Sequence, residues 1–398
     1  MKKNRRIRQG NSPIILAGAA LLAGVWLAGA QTDGETLVIQ REVDPTKVIP
    51  VSVSGFTGEV DQALKFDLEV LGFEIVAPDK ALYLVTGNQQ GQLTGFLQKA
   101  KTKGNLLAKS YTGTSPRYQA HAFADDIITL LREVRGVALT RVAFKNDQGQ
   151  AKEIWVSDYD GHNAQAVTRD GSIAAAPCWV PGQRVLYYNS YKEGFPAIYA
   201  HDLNSGTRRP LARHAGSNIS PAAGPGGRLA MILSKGGSPN VYVADADGGN
   251  LRQLTKSREG DSSPCWSPDG QTVCFSSRRE GAKALYLAPA AGGETRRLRT
   301  VGVANATEPD WSPDGKWIIF TTQYGNNFEL CVVPAEGGEA VRLTPGEDPS
   351  WAPNSRTVIF ARRAANGRRV LSLLDVPTKR VKDCAPISGS VSQPSWAR

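Results

Sequence analysis

At 398 residues, 41% of them hydrophobic, the chain can bury more than one core, which excludes a minimal single-core domain. Its formal charge of +10 invites a polyanionic partner, yet five of the 47 basic residues and none of the 37 acidic ones lie in residues 1–30, so the rest carries +5. That remainder is spread as short pairs such as Arg208-Arg209, Arg278-Arg279 and Arg368-Arg369, which reads as solvated rims, and no nucleic-acid partner is expected.

Residues 1–30 have the form of a signal peptide. Lys2, Lys3, Arg5, Arg6 and Arg8 make a basic end, residues 14–27 an apolar run too short for a confident membrane span, and Ala28, Gly29 and Ala30 a small-residue cleavage site. A retained N-terminal anchor is the alternative. No cysteine follows the cleavage site, which argues against a lipoprotein. Residues 31–47 then form an N-terminal segment, whose bland reading is a frayed terminus.

Residues 48–138 read as a small α/β domain. Strands are expected over 48–53, 73–76, 82–85, 92–98 and 106–111, and Val60, Leu64, Leu68 and Leu71 fall on one helical face. A second helix is bounded by Ser115 as its cap and Pro116 in its first turn. Ala120, Phe123, Ile127, Leu130 and Val134 are expected to form its buried face, and Gly136 its C-terminal cap.

Residues 139–398 repeat. Pro177, Pro221, Pro264, Pro309, Pro349 and Pro394 open similar phrases, most with tryptophan two residues on, at separations of 44, 43, 45, 40 and 45 residues. That period, filled with strand-length runs of branched and aromatic residues, fits four-stranded propeller blades. The last phrase, ending in Trp396, supplies one strand, and residues 142–144, 153–157 and 165–167 supply three that lack a first. The expected architecture is therefore a small N-terminal α/β domain followed by a six-bladed β-propeller closed by the C-terminal strand, which covers otherwise open edges. The third phrase departs from the pattern, with Ala223 in the tryptophan position and Gly224, Pro225, Gly226 and Gly227 in place of the usual turn.

The five cysteines are Cys178, Cys265, Cys274, Cys331 and Cys384, and buried free thiols are expected. A three-residue loop at Pro268, Asp269 and Gly270 pairs Cys265 with Val273, which places Cys265 and Cys274 on opposite faces of their hairpin and unlinked.

This order of parts resembles the TolB family of the Tol-Pal cell-envelope system. The resemblance is carried by Trp-Ser-Pro-Asp-Gly at 266–270 and 311–315, by Arg117, Tyr118, His121 and residues 125–136 leading into 140–144, and by residues 35–44 and 49–56. It implies a periplasmic, monomeric scaffold, held at the envelope through its partners, that supports outer-membrane integrity and cell division. In that family the mature N-terminus is mobile and binds a TolA-like inner-membrane protein, which points to Glu35, Leu37, Val38 and Ile39. One propeller mouth receives the lipoprotein Pal, which points to His214 first and to Ser217, Asn218, Ser262, Ser263, Thr307 and Glu308 on neighbouring loops.

No catalytic role is expected. There is no Gly-Xaa-Ser-Xaa-Gly elbow, paired-cysteine motif or His-Glu-Xaa-Xaa-His. Asp245, Asp247 and Gly249 suggest the start of a calcium loop, but Lys256 occupies the position where glutamate belongs, so a hairpin turn is expected and neither metal nor cofactor is assigned. The alternatives are a stand-alone secreted propeller binding a glycan or peptide, or a propeller related to those of prolyl-oligopeptidase-type peptidases.

Overall fold

Residues 44–325 and 327–398 are described by the computed structural model; residues 1–43, on which the expected signal peptide and Glu35, Leu37, Val38 and Ile39 fall, lie outside them. The chain first builds a five-stranded sheet from β1 (Ile49–Ser54), β2 (Phe73–Ile75), β3 (Tyr83–Gln90), β4 (Gln92–Lys99) and β5 (Asn105–Tyr111), in the order β2-β1-β3-β4-β5. β1 runs parallel to β2 and β3, and the other pairs are antiparallel. A helix, α1 (Gly58–Val70), connects β1 to β2, as a parallel pair requires. Its Val60, Leu64 and Leu68 are buried, together with Leu71 just beyond its end.

The second helix, α2 (Pro116–Arg132), is capped at Ser115, whose hydroxyl accepts the Tyr118 N–H at 3.1 Å. Phe123 lies flat on β4 because Gly95 leaves room for it; a Cβ there would stand 2.6 Å from the ring. Two expectations for this helix fail. Leu130 is exposed, because the packed stripe runs through Ala124, Ile127 and Ile128 instead. Gly136 is not the cap either: Glu133 takes the left-handed conformation that ends the helix, and Gly136 packs on Asp125, whose carboxylate accepts the Ala138 N–H at 2.9 Å.

Six four-stranded sheets follow as propeller blades. Their inner strands are Ser390–Trp396, Ala174–Trp179, Asn218–Ala223, Asp261–Trp266, Ala306–Trp311 and Glu347–Trp351, each carrying one anchor proline. The first of these pairs antiparallel with Arg141–Asp147, so the C-terminal strand closes blade one. Trp396 is buried there, and its indole N–H donates to the Thr140 hydroxyl at 2.7 Å. Blade three explains its own departure. The Trp266 ring of the next blade covers Gly224, where a Cβ would meet it at 2.7 Å, and its indole N–H donates to Ala222 O at 3.1 Å.

The hairpin register differs from expectation by one residue. Ser267 N–H donates to Thr272 O at 2.9 Å, which makes the loop four residues long, and the Asp269 carboxylate holds the Gln271 N–H at 2.9 Å inside it. Trp266 therefore stands opposite Val273 and Cys265 opposite Cys274. Asp245 to Gly249 do form a hairpin turn, closed by Asp245 N–H to Gly249 O at 3.0 Å.

A buried charged cluster joins the sheet layer to blade one. His121 Nδ1 lies 2.7 Å from Asp67 Oδ2 of α1, and Nε2 lies 3.4 Å from Asp160 Oδ2 of the propeller. Arg117 Nε donates to the same Asp160 oxygen at 3.0 Å, and the Tyr159 hydroxyl donates to Asp67. Burial disfavours a charge on His121, but Asp67 and Asp160 outweigh it and push its pKa up to about 10. Burial likewise opposes ionisation of Asp160, while His121 and Arg117 hold its carboxyl well below the usual range.

Candidate functional site: the propeller mouth

Strands within a blade alternate in direction, so loops joining second to third strands open at the same end as loops leading into each inner strand. Asn218 ties the two kinds together. Its side chain accepts the His214 N–H at 2.9 Å and donates to His214 O at 2.7 Å and to Gly216 and Pro196 O, both at 3.1 Å. Asn218 is itself fully buried. His214 itself is half-buried; burial, then Lys235, lowers its pKa, so the ring is neutral at physiological pH. Ser217 is braced by its N–H to the Ser234 hydroxyl at 2.7 Å.

The remaining sequence-chosen residues lie on the inner strands. Ser262 faces Ser276 and Thr307 faces Thr321 across their ladders. Ser263 and Glu308 share an unusual backbone position: the residue before every anchor proline is left-handed, with φ between 50 and 56° at Ala176, Ser220, Ser263, Glu308, Asp348 and Gln393. None is glycine, so each carries strain of roughly 1–3 kcal/mol. A bulge in each inner strand accompanies it, and blade-to-blade hydrogen bonds hold it in half the ring. The Glu308 carboxylate accepts the Asp348 N–H at 3.1 Å, Asp348 accepts the Gln393 N–H at 3.0 Å, and the Gln393 amide oxygen accepts the Ala176 N–H at 2.9 Å. Burial, then Glu308, pushes the Asp348 carboxyl above the usual range. Asp348 and Gln393 were missed in the sequence, although their place immediately before an anchor proline, like that of Glu308, marks them.

Apolar side chains stand exposed on the same end. They are Ile173 on a loop leading into an inner strand, Phe195 on a second-to-third-strand loop, and Tyr324, 72% exposed, at another. Arg213 lies over the Phe195 ring at 5.8 Å and pairs with Glu193; Arg342 lies over Tyr324 at 5.5 Å. Solvent-facing aromatics partnered by arginine are the side chains from which protein-binding hot spots are built. Sequence reasoning missed them, because small polar loop residues drew the attention.

Among the described residues no group of three or more His, Cys, Asp or Glu side chains is placed to hold a metal ion, and no helix is long and apolar enough to cross a membrane. Where the N-terminal segment meets the body, Arg356 donates to Pro45 O at 3.2 Å and Arg132 to Lys47 O at 3.1 Å, fastening the chain at the edge between α2 and the sixth blade.

The TolB beta propeller domain family matches residues 129–398. The Tol-Pal system protein TolB of Polaromonas naphthalenivorans (strain CJ2) is 31% identical over 203 residues, covering 43% of this chain and 47% of that protein. Its counterpart from Haemophilus influenzae (strain PittGG) is 33% identical over 175 residues, covering 42% and 40%. The matches thus span less than half the length of these curated relatives. The crystal structure of TolB from Acinetobacter baumannii superimposes with a TM-score of 0.79 at 23% identity, covering 89% of this chain and 97% of that one, which is a likeness of fold.

Proposed function

The chain belongs to the TolB family, and from that premise we propose that it is a non-enzymatic periplasmic scaffold of a Tol-Pal system. In this reading the propeller mouth binds a Pal-type lipoprotein, and the segment containing Glu35, Leu37, Val38 and Ile39 binds a TolA-like inner-membrane protein. The complex supports outer-membrane integrity and cell division. One observation carries the mouth assignment: Phe195 stands in solvent under Arg213, beside the His214 loop that Asn218 holds rigid, and Tyr324 stands in solvent under Arg342 on the fifth blade at the same end of the ring. A preformed loop loses little entropy on binding, and an exposed aromatic gains most from desolvation. His214, Ser217, Ser262, Ser263, Thr307 and Glu308 supply the polar surroundings, while Asn218 acts through the loop.

Calorimetry with a Pal-type lipoprotein tests this. Phe195→Ala and His214→Ala should each weaken binding by more than about 1 kcal/mol, several-fold in Kd, with melting temperature almost unchanged. Asn218→Ala should lower both affinity and stability, since it frees buried polar groups of the loop. Wild-type affinity in both contact variants would remove the mouth from the interface. Absence of binding by the unaltered protein would favour a stand-alone propeller with another ligand. Deleting residues 35–43 should abolish capture of a TolA-like domain and leave lipoprotein binding measurable.

A further inference from the structure

Blade four places two cysteines directly opposite each other. Cys265 of the inner strand pairs with Cys274 of the next strand, and residues opposite one another in an antiparallel ladder point to the same side. Cα spacings in such pairs are about 4.5 or about 5.5 Å, both inside the range of about 4.4–6.8 Å that a disulfide spans. Both side chains belong to the apolar layer between blades four and five, with Leu285, Leu287, Trp311 and Cys331. The sulfurs are unbonded in this structure.

We propose that Cys265 and Cys274 form a dithiol–disulfide site, oxidised by thiol–disulfide exchange with a disulfide-bearing reagent or oxidoreductase. The Cys265 thiol, the less deeply buried of the two, loses its proton and attacks one sulfur of the oxidant, whose other sulfur leaves as a thiolate. Cys274, deprotonated in turn, attacks the mixed disulfide at Cys265 and expels the second oxidant sulfur. One protein disulfide forms, the oxidant's disulfide becomes two thiols, and two protons and two electrons pass from protein to oxidant. Burial, then the Cys274 neighbour, raises the Cys265 thiol above its usual range, so the closed propeller reacts slowly. The exchange therefore belongs to the hairpin before blade five covers it, or to transient opening of that interface.

The test is to refold the full-length chain with oxidised and reduced glutathione, alkylate it under denaturing conditions and digest it with trypsin. Cleavage after Arg258 and Arg278 leaves both cysteines in one peptide, residues 259–278. The expected product is that peptide, unalkylated and lighter by two hydrogen atoms than its reduced form, with Cys178, Cys331 and Cys384 alkylated. Native protein held with oxidised glutathione near its melting temperature should give the same peptide and a higher melting temperature that dithiothreitol reverses. Two labels on that peptide in both experiments, or a link from either cysteine to Cys331, would overturn the assignment. None of these outcomes depends on lipoprotein binding.

Discussion

His121 is charged because two carboxylates surround it, and that charge couples stability to pH. Its folded pKa of about 10 exceeds the ordinary 6.5, so the stabilisation is fully present below 6.5 and is lost as pH rises through about 10. Thermal melts across that window should show an alkaline fall in stability for the natural chain and a flatter profile for His121→Gln. At neutral pH the substitution leaves Asp67 and Asp160 short of a buried cation and should cost on the order of 3–5 kcal/mol. A profile unaltered by the substitution would disconnect His121 from the alkaline transition. The family resemblance drew attention to His121 and Arg117; Asp67, 54 residues away, joins them only when α1 folds against α2.

The second helix separates what periodicity reveals from what packing selects. Ser115, Pro116, Ala120, Phe123 and Ile127 behave as their spacing predicts, yet Leu130 is exposed although it continues the same stripe. The packed stripe runs instead through Ala124, Ile128 and Arg132, which lies over the Phe73 ring of β2, a choice no window of local sequence contains. Phe123→Ala should therefore destabilise by about 3–5 kcal/mol, whereas Leu130→Ala should change stability by only about 0.5 kcal/mol. Urea unfolding of the two variants checks this, and comparable losses would place Leu130 in the core after all. The blade-four hairpin shows the same division: the Pro-Asp-Gly signal marks a turn, while the Asp269 side chain bonded to the Gln271 N–H decides its length and hence which residue faces Cys265.

At the scale of the molecule, closure is the decisive interaction. Residues 390–396 supply the inner strand of a blade whose other strands begin at Arg141, and Trp396 is buried beside Thr140. Deleting residues 393–398 removes that ring and part of the ladder, and loss of the aromatic side chain alone costs about 3–5 kcal/mol. The melting temperature should fall clearly; an unchanged value would show that the ring does not depend on this strand. Repetition made the six blades and their closure legible, since each anchor proline recurs at a blade-length interval and the unfinished last phrase matches the unfinished first one. Composition and local spacing likewise determined both helices and the order of parts. Only the tertiary structure decided the mouth. Phe195, Arg213, Tyr324, Asp348 and Gln393 are scattered over some 200 residues, and the sequence carries no record of which loops share an end of the ring. Their neighbourhood follows from strand direction and from hydrogen bonds between blades, which exist only once the ring has closed.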